Sequence, residues 1–355
     1  MSDDGIRRTA GPGSGPGGTP TAIALSPILS ARYRSRDLDL IRAAAPGARI
    51  VTLSREGLTD EPVEDVEVLL RGWLSSDAFD RLLARAPRLH YVHSASAGVE
   101  RALTPAARER GLVITNARGV FSRPIAEYVL MMILAVSRRL PGLLELQRER
   151  TWQPLEGVEL RDVTVGIIGL GSIGRAVGAL ATAFGCRVVA VRRRSDGGAP
   201  SIAADDDNRS FGEVMLDRVG GPGSIPELLA ESDFVVLAAP LTPETENMID
   251  EGALAMMKSS AWLINVARGR LVDERALLDA LRAGRIGGAI LDTFREEPLP
   301  PTSAFYDLPN VIVTPHTSWS SGRVLDRSVE LFCDNLRRYA AGEPLLNVVD
   351  PTAGY

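Results

Sequence analysis

Short apolar runs alternate with helical segments along two stretches of the chain. In the first stretch, five runs predict β-strands at residues 21–26, 49–53, 66–70, 89–94 and 112–115. The second stretch begins at Asp162, and six more runs predict strands at residues 163–168, 187–191, 233–238, 262–266, 288–292 and 311–313. Strands that alternate with helices are typical of parallel sheets joined by right-handed crossovers. The pattern therefore predicts two α/β units.

Two long helical patterns connect these units. Residues 122–140 form an apolar helix that Pro141-Gly142 is expected to end, and residues 320–341 form a final helix that we expect to fold back onto the first unit. Residues 195–224 are rich in Gly, Asp and Pro and exceed the usual length of an α/β connection, which predicts a surface insertion. Residues 1–20 are rich in Gly, Pro and Ser, which predicts a disordered tail.

Composition and charge exclude several classes of function. No run approaches the ~20 consecutive apolar residues of a membrane span. The net charge of −5, without a dense basic block, argues against nucleic acid as the main ligand. The two cysteines, Cys186 and Cys333, are too few for a disulfide framework and lack metal-ligand spacing. We therefore expect a cytoplasmic protein with no bound metal.

A Gly-rich turn follows the first strand of the second stretch. The run from Asp162 to Gly174 is a strand, a Gly-x-Gly-x-x-Gly turn and the start of a helix, which is the context that a dinucleotide-binding motif requires. Gly169 is expected to make the tight turn, Gly171 to let the backbone approach a pyrophosphate, and Gly174 to let helix and strand pack closely. The N–H groups of Ser172 and Ile173 then face the phosphates at a helix N-terminus. The alternative is a Gly-rich turn without a ligand.

The end of the next strand indicates which dinucleotide binds. An acidic residue there holds a 2′-hydroxyl, whereas a 2′-phosphate needs arginine. This chain carries Arg192, Arg193 and Arg194 at that place and no acid, so we expect NADP(H) to be preferred over NAD(H). Because Lys258 is the only lysine among 40 basic residues, arginine is common throughout the chain, and a solvated basic loop is the alternative.

Three strand ends of the second unit carry groups suited to carbonyl reduction. His316 follows the last strand, Arg268 follows the strand at residues 262–266, and the pair Glu296-Glu297 follows the strand at 288–292. Ligands of open parallel sheets bind beyond the carboxyl ends of strands, so we expect these groups to converge beside the dinucleotide. Taken singly, each is also compatible with a structural role, as a surface Arg, a solvated Glu pair or a capping His.

Five motifs in combination resemble the D-isomer-specific 2-hydroxyacid dehydrogenase family, which includes glyoxylate/hydroxypyruvate reductases. They are the Gly-Leu-Gly-Ser-Ile-Gly turn, Ala239-Pro-Leu-Thr242, the run from Asn265 to Asp273, the run from Gly288 to Pro300, and Thr314-Pro-His316. The resemblance covers roughly residues 69–349. It implies two Rossmann-like, doubly wound parallel-sheet domains with the active site in the cleft between them. The expected domains are a flavodoxin-like substrate-binding domain at residues 21–135 and 319–355 and a dinucleotide-binding domain at residues 136–318.

The resemblance also assigns catalytic roles. Arg268 matches the residue that binds the substrate carboxylate and polarises the ketone, a task suited to the two parallel N–H groups of a guanidinium. His316 matches the acid–base residue that protonates the ketone oxygen, and Glu297 matches its acidic partner, which favours the imidazolium. The nicotinamide itself carries the hydride.

Further residues match the family's binding positions. The resemblance places Ala97 and Gly98 at the substrate carboxylate, Pro240 and Thr242 near the adenosine, Val266 and Arg268 near the nicotinamide ribose, and Asp292 at the carboxamide. Trp319 departs from the family, because many members carry a small residue there, and its indole is expected to line the pocket for the substrate side chain. For Asp292 a strand-end cap is the alternative, and for Trp319 ordinary packing is.

Two functions of different classes remain open. The first is an enzyme that reduces a small 2-oxoacid, glyoxylate- or hydroxypyruvate-like, to a D-2-hydroxyacid with NAD(P)H. The second is a dinucleotide-sensing interaction protein similar to the C-terminal-binding-protein corepressors, in which a Trp also stands at the position of Trp319. The complete set of Arg268, Glu297 and His316 favours the enzyme. The resemblance further implies a homodimer formed through the cofactor domain.

Overall fold

The computed structural model describes residues 17–28, 33–193 and 215–351. Residues 1–16, most of the expected tail, and residues 195–214, most of the expected insertion, lie outside this part of the chain. By its internal contacts the chain divides into unit 1, residues 1–120 and 322–355, and unit 2, residues 121–321.

The described residues form the following regular elements. The strands are β1 (Ala22–Leu25), β2 (Arg49–Thr52), β3 (Val66–Arg71), β4 (Tyr91–Ser94), β5 (Val113–Asn116), β6 (Thr164–Ile168), β7 (Arg187–Val191), β8 (Arg218–Gly220), β9 (Phe234–Leu237), β10 (Trp262–Asn265), β11 (Gly288–Leu291) and β12 (Val311–Val313). The α-helices are α1 (Ser35–Ala44), α2 (Ser76–Arg85), α3 (Pro105–Glu109), α4 (Ser122–Ser137), α5 (Leu140–Arg148), α6 (Ser172–Ala183), α7 (Ile225–Glu231), α8 (Glu251–Met256), α9 (Glu274–Arg282) and α10 (Val324–Ala341). All eleven predicted strands are confirmed to within two residues at each end.

Unit 1 is built on a five-stranded parallel sheet with the order β2-β1-β3-β4-β5. One face of the sheet is covered by a core that includes Phe79 and Leu82 of α2. The other face is covered by a core that includes Phe332 and Leu336 of α10, so the final helix does return to the first unit as the sequence predicts. The strand order is that of a flavodoxin-like sheet.

Unit 2 is built on a seven-stranded parallel sheet with the order β12-β11-β10-β9-β6-β7-β8. Numbered from β6, this is the Rossmann order with one additional strand, and the direction of winding reverses between β6 and β9. The short edge strand β8, which lies inside the expected insertion, was not predicted. Its three residues, Arg-Val-Gly, are too few to show a strand period, and they are recruited by pairing with β7. The predicted α/β fold with two Rossmann-like parallel-sheet domains is therefore confirmed.

The long apolar helix differs from its prediction at two points. It ends at Ser137, because Arg139 adopts a left-handed backbone conformation with φ 59°. A second helix, α5, then begins at Leu140, and Pro141 lies in its first turn, where proline is favoured, instead of merely ending the first helix. Helix α4 packs against α6, so by its contacts it belongs to unit 2, whereas the domain boundary was expected at residue 135.

Within the described residues, no helix combines the length and the apolar character needed to cross a bilayer. In the same part of the chain, no group of three or more His, Cys, Asp or Glu residues is arranged to hold a metal ion.

Candidate active site

The Gly-rich turn has the geometry expected of a pyrophosphate site. Gly169 has φ 104°, and a Cβ there would lie 2.5 Å from the backbone N of Ala239. A Cβ on Gly174 would lie 2.1 Å from the carbonyl O of Gly169, which only glycine permits. By contrast, the space around Gly171 is open within 4 Å among the described residues. The first and third glycines therefore serve close packing, and the second leaves room for a ligand.

Helix α6 begins directly after this turn. Gly171 is its N-cap, and no side chain of the described residues caps it, so the first N–H groups, at Ser172 and Ile173, are available to an anion. An uncapped helix N-terminus beside an open glycine fits a dinucleotide pyrophosphate.

The expected adenosine side of the site lies at the ends of β7 and β9. Arg192 is half-buried, and its backbone N–H donates to the carbonyl O of Gly220 at 3.0 Å. Arg193 is exposed, and Arg194 lies outside the described residues. The loop with Pro240 and Thr242 is tied by the hydroxyl of Thr245, which donates to Pro240 O at 2.8 Å. These residues thus stand at the same sheet edge as the turn.

Glu244 is a residue of this region that the sequence argument missed. A hydrogen bond from the Thr242 side chain, a bond from its own backbone and the charge of Arg193 lower the pKa of its carboxyl. Glu244 therefore stays ionised close to Thr242 and Arg193, two of the residues expected to bind the cofactor. Its position two residues after Thr242 in a strand-end loop was the available indication.

The three predicted catalytic side chains are brought together. Nδ1 of His316 lies 2.8 Å from Oε2 of Glu297, and the two side chains are 41% and 37% exposed. Oε1 of Glu297 accepts from the backbone N–H of Phe294 at 3.0 Å. Burial raises the pKa of Glu297, but the bonds from His316 and Phe294, together with the charges of His316 and Arg268, outweigh it, so the pKa lies below its ordinary value.

The protonation of this pair follows from these contacts. Because Glu297 is ionised, its oxygens accept, and His316 donates through Nδ1–H. The other ring nitrogen, Nε2, is then the one that can exchange a proton with a substrate. The charge of Arg268 acts on this pair as well, because it helps to lower the pKa of Glu297.

Two residues that the sequence argument left without a role bring Arg268 to this pair. A Cβ on Gly269 would lie 2.0 Å from the carbonyl C of Phe294, so the loop after β10 lies directly against the loop that carries Glu297. The amide of Asn265 donates to Arg268 O at 2.9 Å and accepts from Ala267 N–H at 3.1 Å. The Gly after Arg268 was the visible sign of this close approach.

The remaining predicted residues are placed as follows. Val266 follows β10 and is buried. Asp292 follows β11, is fully buried, and accepts hydrogen bonds from the Thr314 hydroxyl and from the backbone N–H groups of residues 317 and 318. Trp319 is partly buried against the core of unit 2 that includes α4 and α6. Ala97 and Gly98 lie in unit 1 after β4, where the amide of Asn116 donates to Ala97 O at 2.9 Å and so orients that loop.

Comparison with known proteins gives a consistent result. The family model described as D-isomer specific 2-hydroxyacid dehydrogenase, NAD binding domain, matches residues 130–318, more than half of the chain. A glyoxylate reductase of Korarchaeum cryptofilum is 33% identical over 321 residues, 88% of this chain and 90% of that protein. A D-3-phosphoglycerate dehydrogenase of Mycobacterium tuberculosis is 36% identical over 81% of this chain, which spans 51% of that relative.

Two solved structures show the same likeness. A D-isomer specific 2-hydroxyacid dehydrogenase from Xanthobacter autotrophicus Py2, in complex with NADPH and MES, superposes with a TM-score of 0.79 at 30% identity over 96% of this chain and all of that one. An NADPH-dependent glyoxylate/hydroxypyruvate reductase from Sinorhizobium meliloti, in complex with NADP and sulfate, gives 0.76 at 26% identity over 94% of this chain and all of that one.

Proposed function

Because the chain belongs to the D-isomer-specific 2-hydroxyacid dehydrogenases, we propose that it reduces a small 2-oxoacid of the glyoxylate or hydroxypyruvate type, with NADPH preferred. The observation that carries the proposal is the His316–Glu297 pair beside Arg268, at the same sheet edge as the glycine turn. The glyoxylate reductase relative and the Sinorhizobium meliloti reductase support the substrate class.

The chain's own groups have separable tasks in this reaction. When bound, the reduced nicotinamide supplies the hydride that reaches C2 of the oxoacid. Arg268 holds the substrate carboxylate and draws electron density from the ketone. His316 donates the Nε2 proton to the ketone oxygen as the C2–H bond forms, and takes it back in the oxidative direction. Glu297 remains ionised and stabilises the imidazolium.

Preference for NADPH is the finer part of the proposal. It is supported by Arg192 and Arg193 at the end of β7 and by the NADPH and NADP in the two similar structures. Glu244, ionised close to Arg193, opposes it, because a carboxylate repels a 2′-phosphate. We expect the arginines to prevail, since Arg192 lies directly at the strand end.

One assay tests both parts. Oxidation of NADPH and of NADH is followed with glyoxylate, hydroxypyruvate, pyruvate and a bulky 2-oxoacid such as phenylpyruvate. We expect the highest kcat/KM with one of the two small polar substrates and with NADPH. Equal or better efficiency with NADH would refute the cofactor preference alone, whereas tight dinucleotide binding without turnover would favour the sensing protein.

A cytoplasmic location also belongs to the proposal. Cys186 and Cys333 are buried free thiols, and burial raises the pKa of each to about 11. Such thiols are unreactive and unpaired, which suits a reducing compartment.

We further propose that the protein is a homodimer through the segment around α5. None of residues 138–159 is buried, Trp152 is 102% exposed, and Leu140, Leu143 and Leu144 are exposed on one short helix. A nine-residue helix is marginal on its own in water and needs packing. Contiguous exposed apolar side chains mark an interaction surface. The charges of the segment, four Glu among its arginines, are of both signs, which suits contact with a second copy.

The dimer is tested by Leu144→Glu combined with Trp152→Ala. We expect this variant to sediment at the mass of one chain, because a buried charge and a lost indole weaken an apolar interface. The matched control is Leu58→Glu, which changes a 57% exposed leucine of unit 1 and should sediment like the wild type. A wild-type chain that is already monomeric would refute the proposal.

A further inference from the structure

A chain of hydrogen bonds connects helix α4 with the loop that carries His316. The phenol oxygen of Tyr128, on α4, lies 2.7 Å from Oγ1 of Thr314, and the Thr314 hydroxyl donates to Oδ1 of Asp292 at 2.6 Å. Since a hydroxyl has a single proton and Thr314 gives it to the carboxylate, the Tyr128 O–H must be the donor to Thr314. The direction of the chain is therefore Tyr128 to Thr314 to Asp292.

Asp292 in turn holds the backbone that follows His316. Its Oδ1 accepts from the N–H of Thr317 at 2.8 Å, and its Oδ2 accepts from the N–H of Ser318 at 2.9 Å. The side chain is fully buried. Three of its acceptor positions are thus occupied by the protein itself, in addition to any contact with the carboxamide that the family resemblance implies.

His316 has a backbone that needs such support. Its φ is 49°, in the left-handed region, which is unfavourable for a residue with a side chain. Conformations of this kind persist only where the surroundings hold them. Here Thr314 is fixed before His316, and Thr317 and Ser318 are fixed after it, all by one carboxylate.

We propose that Tyr128 is a positioning residue for His316, acting through Thr314 and Asp292 to hold the imidazole in its working orientation. The inference rests on the proposed acid–base role of His316. Burial raises the pKa of the Tyr128 phenol to about 12, so the group stays a neutral donor across the working pH range. Its effect should therefore be the same at every pH.

The test uses two nearly isosteric replacements. In Tyr128→Phe and in Thr314→Val, we expect kcat for the oxoacid to fall about tenfold, because a loosened imidazole reaches the productive geometry less often. The Kd of NADPH should stay within twofold, and the pH profile of kcat should shift down without changing shape. Thr314→Ser keeps the hydroxyl and should retain most of kcat.

A matched control is available in unit 1. Tyr91 is a buried tyrosine whose phenol also bonds a threonine hydroxyl, Oγ1 of Thr115, at 3.0 Å. Tyr91→Phe therefore removes a similar bond far along the chain from the His316 loop, and kcat should be unchanged. If Tyr91→Phe lost as much kcat as Tyr128→Phe, the effect would be general destabilisation and the inference would be overturned. Wild-type kcat in both Tyr128→Phe and Thr314→Val would also overturn it.

A second readout does not depend on turnover. The chain has three histidines, so its spectrum contains three imidazole Cε1–H resonances. We expect the His316 resonance to shift in Tyr128→Phe and not in Tyr91→Phe. If the wild type reduces no 2-oxoacid, the proposed function fails, but this shift still decides whether Tyr128 positions His316. An unmoved resonance refutes the inference.

Discussion

His316→Ala should lower kcat for the 2-oxoacid by about 10²–10⁴-fold, the range that a positioned acid–base group contributes. The variant loses the only group of the site that we assign to protonate the ketone oxygen. The Kd of NADPH should remain within about twofold, because the glycine turn and the uncapped end of α6 are untouched. Single-turnover kinetics with a fluorescence titration of NADPH separate the two quantities.

Glu297→Gln and His90→Ala complete this experiment. Glu297→Gln keeps the shape of the side chain but removes the charge that accepts from His316 Nδ1, so we expect an intermediate loss of kcat. His90 lies in unit 1, where its Nδ1 is 2.8 Å from the Arg88 carbonyl, and His90→Ala should keep wild-type kcat. Near-native turnover of His316→Ala would remove the acid–base assignment.

The second large effect concerns stability in acid. His93 is fully buried in unit 1, with Nδ1 2.7 Å from Oγ1 of Thr115. Its Nε2 has no hydrogen-bond partner among the described residues, and the ring of Phe332 lies 5.6 Å away between centroids. Burial lowers the pKa of His93 from 6.5 to about 3.

The sign of the effect follows from this difference. Between about pH 6.5 and pH 3, the unfolded chain binds a proton at His93 that the folded chain does not. The free energy of unfolding of unit 1 therefore falls as the pH is lowered through this window, by up to about 1.4 kcal/mol for each pH unit. Above about pH 6.5, His93 is neutral in both the folded and the unfolded chain, and its titration no longer affects the free energy of unfolding.

His93→Gln isolates the contribution. Glutamine retains a polar group but does not titrate. The slope of the unfolding free energy against pH should therefore be smaller in the variant by the equivalent of about one proton, whatever its stability at pH 7. Urea unfolding between pH 7 and pH 4, followed through hydrogen exchange of the β4 and β5 amides, measures the slope. Leu58→Gln, which changes a 57% exposed and non-titrating side chain of unit 1, is the matched control and should keep the wild-type slope. Equal slopes in all three proteins would contradict the assignment.

Much of the architecture could be predicted because the responsible physics is local. Apolar runs of strand length predicted the strands, and glycines marked the crowded points of the turn at Gly169. The rule that parallel strands end at one edge then placed Arg268 and His316 at the edge where the structure has them. The elements that escaped prediction lack such a signature. Strand β8 exists because β7 offers it a partner. Helix α5 begins at Leu140 and carries Pro141 in its first turn, although Pro141 was interpreted as a terminator.

The site's supporting residues could not be predicted for a related reason. Tyr128 and Thr314 are 186 positions apart, and no periodicity relates them. Gly269 and Asn265 matter because two loops touch, which depends on the spacing of β10 and β11 rather than on either loop alone.

The amino-acid order alone thus decides which chemical groups stand at which strand ends, because strand and turn propensities act over a few residues. The folded molecule decides which of those groups meet. Residue-level reasoning left Glu296 and Glu297 equivalent, and only the family resemblance chose between them. In the structure Glu297 accepts from His316, since the loop backbone turns its carboxyl toward both Phe294 N–H and the imidazole. Proton transfer depends on that through-space arrangement, which distances in sequence do not encode.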